Sequence, residues 1–166
     1  MAKISVIYQR SHDIDWFAKV GNIYIHAMSF GGLIPESIGE WNNLRKLLRS
    51  AHRLSPTMYE RQEVTFNDDY IDSRLSMQLE YQQSSDKTME AIKNRYVDHF
   101  ADMARRGFLS FDRDLYDEDL YHLIAKPSRP SDSWNIPFRN FEWPIIELNS
   151  TDLAQITSLR IIRGNR

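Results

Sequence analysis

The sequence predicts an α+β fold: an antiparallel or mixed sheet of about five to seven strands with two main helices packed on it. Three observations carry this expectation. Short apolar runs with two-residue alternation are bounded by turn-forming residues, two longer stretches repeat apolar residues every three or four positions, and strict strand–helix–strand alternation is absent. With 166 residues, the length prior gives a single domain over 1–166, and a chain of this size can bury roughly 70% of its unfolded surface.

Taken in order, "ISVIY" predicts a first strand, ended by Ser11 and Asp13. "IDWFAKV" and "IYIHAMSF" then flank Gly21-Asn22, a two-residue hairpin loop whose leading glycine suits a type II′ turn. Counting outward pairs Val20 with Ile23, Ala18 with Ile25 and Trp16 with Ala27 on an apolar face. Lys19 with Tyr24, Phe17 with His26 and Asp15 with Met28 form the other face. After Gly31-Gly32, a helix is expected from about Pro35 to Leu54, with Ile38, Trp41, Leu44, Leu48 and Ala51 as its apolar stripe.

"EVTF" and "RLSMQLEY" alternate in the strand sense and predict a second hairpin, with a helix over 70–82 as the alternative. The next helix is the clearest, from about Asp86 to Arg106, with Met89, Ile92, Tyr96, Phe100 and Met103 inward and Gly107 beyond its end. "FLSF" and "LYHLIA" read as strands, and the tail as strand, short helix, strand with Thr151 or Asp152 as N-cap. Between Lys126 and Pro144, prolines alternate with Trp134, Phe138, Phe141 and Trp143 without a regular period.

Composition narrows the chemistry. The chain has no cysteine, which excludes disulfides, thiolate metal sites and cysteine nucleophiles together. No apolar run approaches the roughly 18 residues of a membrane span, and the amino-terminal apolar stretch is too short for a leader core, so a cytoplasmic protein is expected. The net charge of −2 is uneven: +3 over 1–61, −7 over 62–125 and +2 over 126–166. Such a chain has no global attraction for polyphosphate, and any nucleic-acid contact would need a local patch.

The stretch "RSHDIDWF" concentrates candidate chemistry. In an extended strand, Asp13 and Asp15 share a face about 7 Å apart, and His26 becomes the diagonal neighbour of Asp15 across the hairpin. Two carboxylates and an imidazole suit a divalent metal, or acid and base in hydrolysis. The bland alternative has Asp13 in an Asx turn, Asp15 solvated and His26 packed on Phe17. Gly31-Gly32 lacks a phosphate-loop pattern, and Glu36 and Glu40 would oppose an anion there.

Arg45, Lys46, Arg49 and Arg53 make a basic helical face that reads first as solvated and second as a phosphate contact. Asp98, His99 and Asp102 have ligand spacing, but Arg95, Arg105 and Arg106 lie near enough to make this an exposed ion-pair face. The acidic run 112–122 lacks the calcium-loop pattern and predicts a turn of solvated acids.

These readings favour a small soluble binding or regulatory module acting through a protein partner or self-association. Trp134, Phe138, Phe141 and Trp143 would supply anchors, with Arg45 and Arg49 on the basic helix as a further contact surface. No cofactor and no membrane role are expected. The alternative is a metal-assisted hydrolase using Asp13, Asp15 and His26.

Overall fold

A computed structural model describes residues 3–38, 40–53, 63–81, 88–128 and 143–163 of the chain. Its described residues form a seven-stranded mixed sheet with three helices of more than twelve residues, in keeping with the expected α+β class.

The first run is not a strand. Val6–Ser11 forms a helix, α1, because Ser5 caps it: the Ser5 hydroxyl accepts the Tyr8 N–H at 3.2 Å. Tertiary bonds then hold this short turn in place. Gln9 donates to the Ile4 carbonyl at 3.0 Å and accepts the Ile34 N–H at 2.9 Å, while Tyr8 stacks on His12 and meets Trp41 edge-on. Cap and packing override the β-branched composition of "ISVIY".

The hairpin has the register read from its turn. Strands β1 (Asp15–Val20) and β2 (Ile23–Met28) pair Val20 with Ile23, Trp16 with Ala27 and Phe17 with His26. Gly21 has φ 57° and Asn22 does not share the left-handed region, as a type II′ turn requires.

The helix expected over 35–54 forms in two pieces, a 3₁₀ turn at Glu36–Ile38 and α2 at Trp41–Arg53. Ile38, Leu44 and Ala51 are buried as the stripe required, and Leu47 joins them. After β3 (Val64–Phe66), residues Asp68–Tyr81 form α3. Here the helical alternative holds and the second hairpin does not. The residues that bury are Ile71, Arg74 and Leu75, spaced three and four apart, and the Asn67 carbonyl takes the first-turn N–H of Ile71 at 3.0 Å.

Helix α4 (Met89–Arg105) starts at Thr88, whose hydroxyl accepts the Ala91 N–H. It ends where Gly107 turns to φ 93°, letting Gly107 and Phe108 donate back to Ala104 and Met103. Strands β4 (Leu109–Arg113), β5 (Leu120–Pro127), β6 (Ile146–Leu148) and β7 (Ser158–Ile161) complete the sheet. The short helix expected in the tail is instead a turn, in which the Asp152 carbonyl accepts from Gln155 and Ile156.

The strand order is β1-β2-β4-β5-β7-β6, with β3 beside the far end of β5. Among the described strands only β2 and β4 run parallel, and α2, β3, α3 and α4 lie in the connection between them. One face of the sheet carries Trp16, Ala27, Phe111, Tyr121 and Leu159 and packs with Ile38 and Leu44. The other face carries Phe17, His26, Ser110 and Ile124 and lies beneath α3 and α4, through Ile71, Leu75, Phe100 and Met103. The less apolar face of the hairpin is therefore partly roofed by a helix, and His26 on it sits in a low-dielectric interior.

A candidate metal centre beneath α4

Three elements build the site. Asp15 opens β1, and its diagonal neighbour His26 on β2 brings Nε2 to 3.1 Å from the Asp15 Oδ1. The parallel pairing of β2 with β4 sets Ser110 beside His26, with Oγ 2.6 Å from Nδ1. Helix α4 crosses above and delivers His99, whose Nε2 lies 3.2 Å from the same Asp15 oxygen. The two imidazoles are 5.2 Å apart at 77°.

His26 has no exposure and is walled by Phe17 and Phe100, whereas the side chains of Asp15 and His99 are 22% and 36% exposed. The cluster is thus closed on the sheet side and open toward solvent between Asp15 and α4.

Electrostatics follow from that asymmetry. Burial lowers the His26 pKa, outweighing the hydrogen bond and charge of Asp15. The hydrogen bond to Asp15 raises His99, which burial only partly opposes. Burial would raise Asp15 itself, but hydrogen bonds from His26 and His99 together hold it well below the usual carboxylate range. The site therefore pairs an ionised carboxylate with one buried neutral imidazole and one more basic, accessible imidazole.

Asp15, His26 and His99 each offer one ligand atom, and these atoms lie within 4.8 Å of one another. Ligand bonds of about 2.1 Å place neighbouring donors roughly 3.0 Å apart at 90° and roughly 3.4 Å apart at the tetrahedral angle. Two of the three edges, at 3.1 and 3.2 Å, fall in that interval, and the third, between the two imidazole nitrogens, is within 4.8 Å. Two imidazole nitrogens with one carboxylate oxygen suit zinc, iron(II), cobalt or manganese, and leave coordination positions for water on the open side. A Ser–His–Asp nucleophile does not fit, because Ser110 is fully buried and beyond reach of a substrate.

Of the expected trio, Asp15 and His26 meet, whereas the Asp13 carboxylate accepts the Phe30 N–H at 2.8 Å and pins the loop after β2. His99 takes the third place, and the expected exposed ion-pair face on α4 needs correcting for this residue. Asp98 is exposed and Asp102 pairs with Arg106 at 3.0 Å as expected, but His99 turns to the sheet. Its spacing from Tyr96 and Met103 places it beside the inward stripe, a signal present in the sequence. Ser110 had a subtler sign, as the lone hydroxyl within "FLSF".

Two residues farther along β4, Asp112 begins a second buried polar group. Its Oδ2 lies 2.9 Å from Arg74 Nη2 and accepts the Tyr96 hydroxyl at 2.7 Å. Arg74 Nη1 donates to the Arg113 carbonyl and to Tyr70, and the guanidinium sits over Phe30. This group joins α3 and α4 to the strand that also carries Ser110.

The other expected contacts are dispersed. Trp134, Phe138 and Phe141 lie outside the described residues. Trp143 is half-buried, packs with the cluster of Phe17, Leu47 and Phe108, and meets Tyr24 edge-on, the arrangement of a cover. Arg45 and Arg49 are exposed on α2, with Arg45 over the Trp41 ring. In the acidic turn, Asp114, Asp117 and Asp119 pair with His122, Arg160 and Arg163. Among the described residues no helix is long and apolar enough to cross a membrane. No protein-family model, curated protein or solved structure matches the chain.

Proposed function

We propose that the protein is a divalent-metal hydrolase whose centre is Asp15, His26 and His99. The observation that supports this reading is the convergence of two Nε2 atoms on one carboxylate oxygen, on the solvent-open edge of an otherwise closed site. A bound divalent ion would supply Lewis acidity and lower the pKa of a water toward neutrality. Asp15 contributes the neutralising charge, His26 a rigid buried ligand, and His99 a ligand carried by a separate helix. Titration of the metal-free protein with Co²⁺ or Zn²⁺, followed calorimetrically, tests the centre. One saturable site lost in His99→Ala is the expected result, and equal binding by both proteins refutes it. Metal-dependent cleavage in a panel of activated phosphate and carboxylate esters tests the hydrolytic assignment, and inactivity of the metal-loaded protein on both classes argues against it.

A second reading is a partner-binding module. Ile145 and Ile162 support it: they are 70% and 47% exposed and are joined by a backbone bond at the β6 edge of the sheet. Sedimentation of the wild type against Ile145→Asp tests for self-association there. A monomer in both cases at high concentration removes that form of the reading.

A further inference from the structure

We infer that Ser110 is a positioning residue that lets His26 exchange tautomers when a metal enters, donating a hydrogen bond to Nδ1 in the metal-free protein and accepting one in the loaded protein. This inference rests on the proposed centre and adds a proton arrangement to it.

The argument begins with the oxygen that both histidines face. Asp15 Oδ1 lies 3.1 Å from His26 Nε2 and 3.2 Å from His99 Nε2. An ionised carboxylate only accepts, so both Nε2 atoms must carry hydrogen while no metal is bound. His26 is fully buried against Phe17 and Phe100, where a charged ring is costly, so it holds one proton and its Nδ1 is bare. The Ser110 hydroxyl, 2.6 Å away, then donates to Nδ1.

Metal ligation inverts the requirement. Nε2 must offer its lone pair, so the ring proton must stand on Nδ1, which becomes a donor. The N–H bond at Nε2 breaks with loss of its proton to water, and Nδ1 gains a proton from water, leaving the ring's charge unchanged. A buried Nδ1–H needs an acceptor, and Ser110 Oγ becomes that acceptor by rotating its own hydrogen away. Among side chains of this size only a hydroxyl serves both states; a backbone carbonyl at the same place would serve one. The parallel β2–β4 register fixes His26 opposite Ser110, so the partner is held by strand pairing.

The test is nitrogen-15 NMR of the histidine rings in the full chain, with and without Zn²⁺, alongside a calorimetric Zn²⁺ titration. Metal-free protein should show His26 protonated at Nε2, and Zn²⁺ should move the proton to Nδ1. Ser110→Ala should bind Zn²⁺ on the order of ten times more weakly or worse while melting cooperatively, and Ser110→Thr should restore the affinity. A metal-free ring already protonated at Nδ1, or undiminished affinity in Ser110→Ala, overturns the inference and leaves the metal centre standing, whereas Zn²⁺ binding with the His26 proton still on Nε2 overturns both, because a protonated Nε2 has no lone pair to give. Absence of Zn²⁺ binding to the wild type overturns both.

Discussion

Asp112 sets burial against ion pairing in a way that fixes the sign of a pH effect. Its carboxylate is 2% exposed and its partner Arg74 has no exposure. A salt bridge would ordinarily depress an aspartate pKa. Here the guanidinium is close but poorly aligned: Nη2 lies 2.9 Å from Oδ2 without the geometry of a hydrogen bond. Burial is the largest influence and raises the pKa. Arg74 and the Tyr96 hydroxyl pull it down, Asp13 pushes it up, and the result stands at about 6.

The folded state therefore holds the Asp112 proton more tightly than the unfolded chain, whose aspartates titrate near 3.9. The stabilisation from this proton is complete below about pH 4 and is lost as pH rises through about 6. A gap of about two pKa units corresponds to about 3 kcal/mol. Asp112→Asn isolates it: the amide does not titrate, its oxygen can accept from the Arg113 N–H in the place of Oδ1, and its NH2 in the place of Oδ2 can donate to the Tyr96 oxygen, so the cost of the exchange does not vary with pH. Urea denaturation of both proteins between about pH 4 and pH 7 provides the measurement. Asp15, Asp114 and Asp117, whose lowered pKa values cost stability on acidification, are common to both proteins and cancel. Wild type should gain about 2 kcal/mol relative to Asp112→Asn from pH 7 to pH 4, the rest of the roughly 3 kcal/mol appearing only at lower pH. A flat difference, or wild type losing ground in acid, would mean that Arg74 outweighs burial and that the reasoning is wrong.

Three further perturbations address other parts of the molecule. Zn²⁺ at about a hundred times its dissociation constant should stabilise the wild type by about 2.7 kcal/mol, raising Tm by roughly 5–11 °C, and scanning calorimetry should show no such rise in His99→Ala. Leu44→Ala, at a 2% exposed position of the main core, should cost about 2–5 kcal/mol, seen as a lower urea midpoint at unchanged slope. Gly21→Ala should cost about 1 kcal/mol in the same assay although nothing lies within 4 Å of the added carbon, because the strain of φ 57° is in the backbone; Gly21→Asn should cost less.

Local chemistry made much of the fold legible in the sequence. Gly21-Asn22 set the hairpin register, and that register made Asp15 and His26 diagonal neighbours. The stripe through Ile92, Tyr96, Phe100 and Met103 located α4 and Gly107 marked its end, although the helix opens at Thr88 rather than Asp86 and Met89, expected inward, lies in the first turn and is 46% exposed. Legibility failed where two periods competed. "RLSMQLEY" alternates in apolarity, yet Ile71, Arg74 and Leu75 have a helical spacing, and the buried face of the sheet selected the second pattern. "ISVIY" failed for a related reason, since a serine cap and the docking of Gln9 and Tyr8 outweighed local β preference.

The candidate centre divides along the same line. Sequence alone determined the pairing of Asp15 with His26, because both belong to one hairpin and a two-residue turn leaves a single register. Tertiary structure decided that His99 takes the third place in the candidate centre and that Ser110 stands behind His26. Those residues are brought together by the parallel β2–β4 pairing and by the way α4 lies across the sheet. Both depend on burying distant apolar faces against each other, and such contacts leave no fixed spacing along the chain.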